Sequence, residues 1–329
     1  MKKHAVLASL LLILIVGVLS ACGSNKAASN TAAPAKSDNK TAANASPSAA
    51  NTAAEQSAAP DKPAEPVKVK IGVSGTDGET WPLLKKKAKE QLNVDIELVE
   101  FSDYTLPNLA LANKEVDVNS FQHLAFLSQF NIEHNLNIVP IGSTVVSPLG
   151  LYSKKYKDVS QIPDGSKIAI PNDPANQGRG LLVLQAAGLL KLKDNVGLYG
   201  TPDDIVDNPH KLKIVPVVAQ QTPRVLPDVA ASIINGGIAG QAGLKLSDAI
   251  FHDDPLSETT RPYLNVFATR VEDKDNETYR AIAKLYQDPE IIESVKKDSN
   301  GGSVVIDVPA ETLQGELDKL EGEIKAAKK

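Results

Sequence analysis

The stretch "IPNDPANQGRGLLVLQ", Ile170 to Gln185, reads as the end of a strand, a turn and the first turns of a helix. Asp173 has the side chain of a helix cap, and Pro174 fits the first helical position, where no backbone donor is lost. The helix then carries Arg179 between Gly178 and Gly180, where alanines would make a better helix. A helix start offers free N–H groups and the positive end of a dipole, which suit an anion. A guanidinium adds a planar, two-pronged grip that matches a carboxylate. Asn176 stands three positions before Arg179, so the two share a helix face. The glycines would leave the backbone bare for a ligand or an opposing lobe. The same residues allow a second reading, in which Arg179 pairs with a nearby acid such as Asp173.

Working outward, strand and helix patterns alternate. "VKVKIGVSG" and "VDIELVEF" alternate apolar and polar residues as strands do, and "TWPLLKKKAKEQL" between them is an amphipathic helix. "TLPNLALANKE" is a short helix, "VDVNSFQHLAFLSQFNIEH" a strand running into a helix, and "NIVPIGSTVVSPLGLYSKKY" extended. The pattern restarts near Gly165 with "SKIAIP" as a strand and "ANQGRGLLVLQAAGLLKL" as one helix. "LKIVPVV" follows as a strand, "PRVLPD" as a short helical turn and "VAASIINGGIAGQAG" as a strand entering a helix. "AIFHDD" and "YLNVFATR" are strands. "NETYRAIAKLYQDPEIIESVKKD" gives helices, one stopped at Asp288-Pro289, and "PAETLQGELDKLEGEIKAAKK" is a surface helix cut by Gly315 and Gly322. Such alternation predicts an α/β fold of parallel sheets covered on both faces. The restart predicts two lobes, residues 67–150 plus 263–329 and residues 151–262, with ligands held at the cleft beyond the strand ends.

The first residues, "MKKHAVLASLLLILIVGVLSACGS", join two lysines to an apolar run from Ala5 to Leu19 and then to small residues and Cys22. Residues 1–21 are expected to be a signal peptide, since the run is shorter than the roughly 20 residues of a spanning helix. Leu19-Ser20-Ala21-Cys22 has the form of a bacterial lipobox, and Cys22 is the only cysteine of the 329 residues. Lipidation at Cys22 is therefore expected. The remainder of 22–66 lacks aromatic residues and Leu, Ile and Val. It reads as a disordered tether, because so little apolar surface cannot offset ordering entropy.

The formal charge is −5 and no basic stripe interleaves with aromatics, so nucleic-acid binding has no support. No G-x-S-x-G, H-E-x-x-H, phosphate loop or cysteine pair occurs, and the five histidines show no ligand spacing. The expectation is no catalysis, no metal and no cofactor. Asp203-Asp204 and Asp253-Asp254 read as solvated turns. In "NSFQHLAFLSQF", Phe121, His123, Phe126 and Phe130 form either a core patch or the apolar wall of a pocket. His123 alone could be a satisfied, partly buried histidine. Asn235, at the end of an apolar strand, either caps the next helix or points its amide into the cleft.

Several long words of this chain resemble those of the methionine-binding lipoprotein family, the NlpA/MetQ-type solute-binding components of ABC importers. They are "VEFSDYTLPNLALANKEVDVNSFQH", "SPLGLYSKKY", "DGSKIAIPNDPANQGRGLLVLQAAGLLKL", "DIVDNPHKLKI" and "PRVLPDVAASIIN". The resemblance spans Val67 to about Ile306 and implies a two-lobed, type II-like periplasmic-binding-protein fold. It implies a small amino-acid-like ligand, methionine or a relative such as a short peptide. It also implies an ABC permease and ATPase as partners and a lipid-anchored receptor on the extracytoplasmic face of the cell membrane, and a monomer is the default expectation. Carried over by position, Phe121 and His123 wall the ligand side chain, Asn176 and Arg179 grip its carboxylate, and Tyr104 borders the pocket. Phe126, Asn235 and Trp81 complete the expected site, and replacing Arg179 by alanine is expected to abolish carboxylate binding while sparing the fold. The chain departs from the family at Phe126, where a tyrosine is common, at Gly237 and Ile238, and in the Ser74–Trp81 turn. Asp77 or Glu79 is a candidate partner for an amino group there. A lipoprotein that kept the fold but binds a surface partner, a receptor for another solute, and an enzyme are the competing readings.

Overall fold

The computed structural model describes residues 65–327, so the expected signal peptide, Cys22 and nearly all of the expected tether lie outside the described residues. Strands β1 (Val67–Val73), β2 (Val94–Glu100), β3 (Val118–His123) and β4 (Ile138–Val146) alternate with helices α1 (Thr80–Leu92), α2 (Leu106–Ala112) and α3 (Leu124–His134). The chain then enters a second sheet through β5 (Leu149–Tyr152) and β6 (Lys167–Pro171), followed by α4 (Pro174–Ala186). A small pair, β7 (Lys191–Leu192) and β8 (Ile205–Asp207), precedes β9 (Lys213–Val217), β10 (Ala231–Asn235), α5 (Gly236–Gln241) and β11 (Ala249–His252). The return leg is β12 (Leu264–Arg270), α6 (Glu277–Leu285), α7 (Pro289–Asp298), β13 (Val304–Val305) and α8 (Ala310–Ala327).

The first sheet has the order β13-β4-β12-β3-β1-β2 and the second β11-β5-β10-β6-β9. Both are mixed rather than parallel. β1 runs parallel to β2 and β3, and β6 parallel to β9 and β10, as strand–helix alternation demands. The strands that connect the sheets break the rule: β12 is antiparallel to β3 and β4, and β5 is antiparallel to β10 and β11. β5 and β12 enter their sheets from the other sheet with no crossover helix, so nothing forces them to run parallel.

Alternation places Val69, Ile71 and Val73 of β1 in a core shared with Phe267 of β12, Leu84 of α1 and Ile291 of α7. In the second sheet Ile168, Ile170 and Ile233 pack against Leu181 and Leu184 of α4. These cores lie wholly within residues 62–329, which form one compact unit. The aliphatic run after α4 does not extend the helix. It ends at Ala186, Gly188 takes φ +74°, and Lys191–Leu192 becomes strand β7. "PRVLPD" is irregular, with a single 3-10 turn just before it at Ala219–Gln221. The last helix is continuous through Gly315 and Gly322, and it is no mere surface element: Leu313, Leu317, Leu320 and Ile324 are buried at helical spacing.

Candidate functional site

All eight sequence-expected ligand residues line one cleft of about 570 Å³ between the two sheets: Tyr104, Phe121, His123, Phe126 and Trp81 from the first lobe, and Asn176, Arg179 and Asn235 from the second. The elements bring them there for local reasons. His123 ends β3 and caps α3, its Nδ1 accepting from the Phe126 N–H at 3.1 Å. Asp173 caps α4, its Oδ1 accepting from the Asn176 N–H at 2.9 Å, which fixes the helix turn carrying Asn176 and Arg179. Both of those side chains are buried.

A directed hydrogen-bond chain connects the polar wall. Asp173 Oδ1 also accepts from Asn176 Nδ2 at 2.8 Å, so the amide oxygen of Asn176 must face the other way. That oxygen accepts from Asn235 Nδ2 at 2.7 Å and lies 3.2 Å from His123 Nε2. The tautomer follows: Nδ1 accepts from Phe126, so Nε2 carries the proton and donates to Asn176. Burial, then the nearby Arg179 charge, pulls the His123 pKa down to about 3, so the ring is neutral at physiological pH. Burial also pushes the Asp173 carboxyl up to about 6, against the two hydrogen bonds from Asn176. With its amide turned toward Asn176, Asn235 keeps a buried Oδ1 with no partner among the described residues. It caps α5 by position but makes no side-chain cap bond.

Arg179 does pair with an acid, but the partner is Asp253 rather than Asp173. Its Nε donates to Asp253 Oδ2 at 2.8 Å and its Nη2 to the Ser147 carbonyl at 2.9 Å. The guanidinium also lies 4.3 Å over the Tyr263 ring. Two of five donors are used in these bonds, and Arg179 also lines the cleft. Asp253 is therefore not a solvated turn residue. Its side chain is 16% exposed, and the partner 74 positions away is what sequence reading could not supply. Tyr263 and Ser147 escaped notice for the same reason.

The apolar wall is an aromatic cluster, with Tyr104, Phe121 and Phe126 rings 5.9 to 6.0 Å apart in tilted and edge-on contacts. Trp81 meets Phe267 edge-on at 6.4 Å. The glycines flanking Arg179 serve packing, not ligand approach. A Cβ at Gly178 would lie 2.1 Å from the Leu198 carbonyl oxygen, and one at Gly180 would touch only Ile233 and Ile170. Gly237 differs, since a Cβ there meets nothing within 4 Å and the residue lines the cleft. Ile238 is buried in a small core and does not widen the cleft. In the turn after β1, Asp77 lines the cleft, whereas Glu79 is paired with Lys297. The turn is held by Asp298, which accepts from the Glu79 and Thr80 N–H groups, and Gln241 Nε2 donates to the Ser74 carbonyl across the cleft at 2.8 Å. Among the described residues no group of three or more metal-ligating side chains occurs, and no helix is long and apolar enough to cross a membrane.

The family described as NlpA lipoprotein matches residues 69–306. The D-methionine-binding lipoprotein MetQ of Salmonella typhimurium is 44% identical over 244 residues, covering 73% of this chain and 89% of that protein. Among solved structures, protein PG110 from Staphylococcus aureus is 42% identical, covering 76% of this chain and 99% of its own, with a TM-score of 0.73. A nutrient binding protein from Burkholderia cenocepacia bound to methionine is also 42% identical, covering 73% of this chain and 99% of its own, with a TM-score of 0.69. With two sheets closing on a cleft of this composition and a match across most of the described residues, the chain belongs to the NlpA lipoprotein family.

Proposed function

We propose that this protein is the lipid-anchored receptor of an ABC importer, binding methionine or a close relative and delivering it to a membrane permease. One observation carries the reading. A single cleft offers guanidinium donors of Arg179, an unpartnered buried acceptor on Asn235, and an aromatic wall of Tyr104, Phe121 and Phe126. Donors complement a carboxylate, the acceptor complements an ammonium group, and the wall takes an apolar side chain. The names of the relatives supply methionine as the first candidate. The space beside Gly237 favours a relative with added bulk, such as a modified methionine or a short peptide. Anchoring would come from Cys22, with the tether holding the receptor off the membrane surface. The protein would have no chemistry of its own; lobe closure on ligand would be what the permease reads.

Residues 62–329, purified through unfolding and refolding to strip ligand, should be thermally unfolded with L- and D-methionine, methionine sulfoxide, Gly-Met and the other amino acids in turn. A ligand at 100 times its Kd stabilises by about 2.7 kcal/mol, a clear shift in Tm. A shift confined to methionine-like compounds is expected. No shift with any of them would reject methionine as the cargo class.

A further inference from the structure

Asp253 does more than hold an arginine. It lies just after β11, on the segment that returns the chain to the first sheet. Its Oδ2 accepts from Arg179 Nε at 2.8 Å and its Oδ1 from the Leu149 N–H at 2.8 Å, while its own N–H donates to the Leu149 carbonyl at 3.3 Å. Leu149 opens β5, and Ser147, just before it, receives the other bond from Arg179. Asp253 thus ties together the two segments that join the sheets and sets the plane of the guanidinium against them.

It also cancels the charge of Arg179, so that no excess positive charge is left in the cleft wall. Arg179 is 4% exposed and Asp253 16%, so the pair enters the buried wall of the cleft with a net charge of zero. The other charged residues lining the cleft do not alter this. Asp77 and Lys245 are exposed, and Asp298 is committed to the Glu79 and Thr80 N–H groups. A ligand that brings only a carboxylate would leave one uncompensated negative charge in a desolvated place, which is costly. A ligand that brings both a carboxylate and an ammonium adds no net charge, and Asn235 Oδ1 stands without a partner to receive the ammonium.

We propose that Asp253 is a specificity-determining positioning residue: by cancelling the Arg179 charge, it makes the cleft accept dipolar amino acids and refuse simple carboxylates. This rests on the reading of Arg179 as the carboxylate clamp. The test measures, by calorimetry on residues 62–329, the affinities of methionine (the enantiomer that binds) and of its des-amino analogue, 4-(methylsulfanyl)butanoate. Wild type, Asp253→Asn and Asp253→Glu are compared. Wild type should prefer methionine by at least about 100-fold, because a site built for a polar group rejects the analogue lacking it. Asp253→Asn, which leaves a buried positive charge seeking an anion, should narrow that preference by about tenfold or more, and Asp253→Glu should restore it. If Asp253→Asn does not fold, Asp253→Ser takes its place with the same expectation.

Equal weakening of both ligands in the neutral variant would mean that Asp253 is a structural support only, and would overturn the proposal. So would a wild type that binds the des-amino acid within about tenfold of methionine. If wild type binds methionine normally in either case, the receptor reading survives. If it binds neither compound nor any other amino acid, the receptor reading falls and the proposal with it.

Discussion

Arg179 closes a buried ion pair and is the proposed carboxylate grip, and a substitution there tests both. Because it closes a buried ion pair, Arg179→Ala is expected to destabilise the fold by about 3 kcal/mol in addition to abolishing ligand binding, since Asp253 is left unpaired. Chemical denaturation of the variant checks this; wild-type stability would contradict it. The neighbouring glycines separate just as clearly. Gly178→Ala drives a methyl into the Leu198 carbonyl and should cost about 3 kcal/mol, whereas Gly180→Ala finds ordinary contacts and should be neutral or stabilising by up to about 1 kcal/mol. Equal midpoints for the two in urea would refute the contrast. His123 gives a pH signature. Its folded pKa of about 3 lies below the ordinary 6.5, so the unfolded chain binds the extra proton. The stability tied to its neutral form is full above pH 6.5 and lost as pH falls toward 3, amounting to about 5 kcal/mol at most. In His123→Asn, which keeps a capping side chain, the acid limb of the stability profile should flatten; an unchanged slope would show that other groups dominate it.

The elements were readable in proportion to how local their causes are. α4 was legible because Asp173, Pro174 and the apolar run after Gly180 are local signals, all within reach of one another. The end of that helix was not, since Leu189 and Leu190 are apolar for the sake of the core beneath them, not for helix continuation. α8 shows the reverse error. Gly315 and Gly322 look like breaks in isolation, but four buried side chains from Leu313 to Ile324 hold the helix through them. Both glycines are exposed, and a Cβ at either meets nothing. Gly315→Ala and Gly322→Ala should therefore each stabilise the protein by about 0.5–1 kcal/mol, by relieving the cost of glycine in a helix. A fall in Tm for either would mean that the local bareness is used for something. In the site, the residues carried by α3 and α4 were visible from sequence, while Asp253, Tyr263 and Ser147 were not, because what joins them to Arg179 is the return of the chain between sheets.

Across the whole molecule, the lobes are bound at the mouth of the cleft by the Gln241–Ser74 hydrogen bond and deeper in by the His123–Asn176 contact. The mouth bond depends on Gly75, where a side chain would strike the Gln241 amide. One such bond is worth about 0.5–1.5 kcal/mol, so Gln241→Ala should speed ligand release by about three- to tenfold while leaving Tm of the empty protein nearly unchanged. Stopped-flow dissociation measures it; an unchanged release rate would mean that this contact does not hold the closed form. No feature of "SGTDGETW" or "GGIAGQAG" taken separately announces this pairing, since each half acquires its meaning only when the lobes meet.

The chain of amides running from Asp173 has one more consequence. Asp173 does not line the cleft, yet together with the His123 Nε2–H it obliges Asn176 to turn its oxygen inward, and Asn176 in turn obliges Asn235 to show an acceptor. The polarity of the cleft wall is thus written in part by a residue outside it, and read out two side chains away. Altering that one helix cap would loosen the polarity shown to the cleft, and every residue lining the cleft would look unchanged.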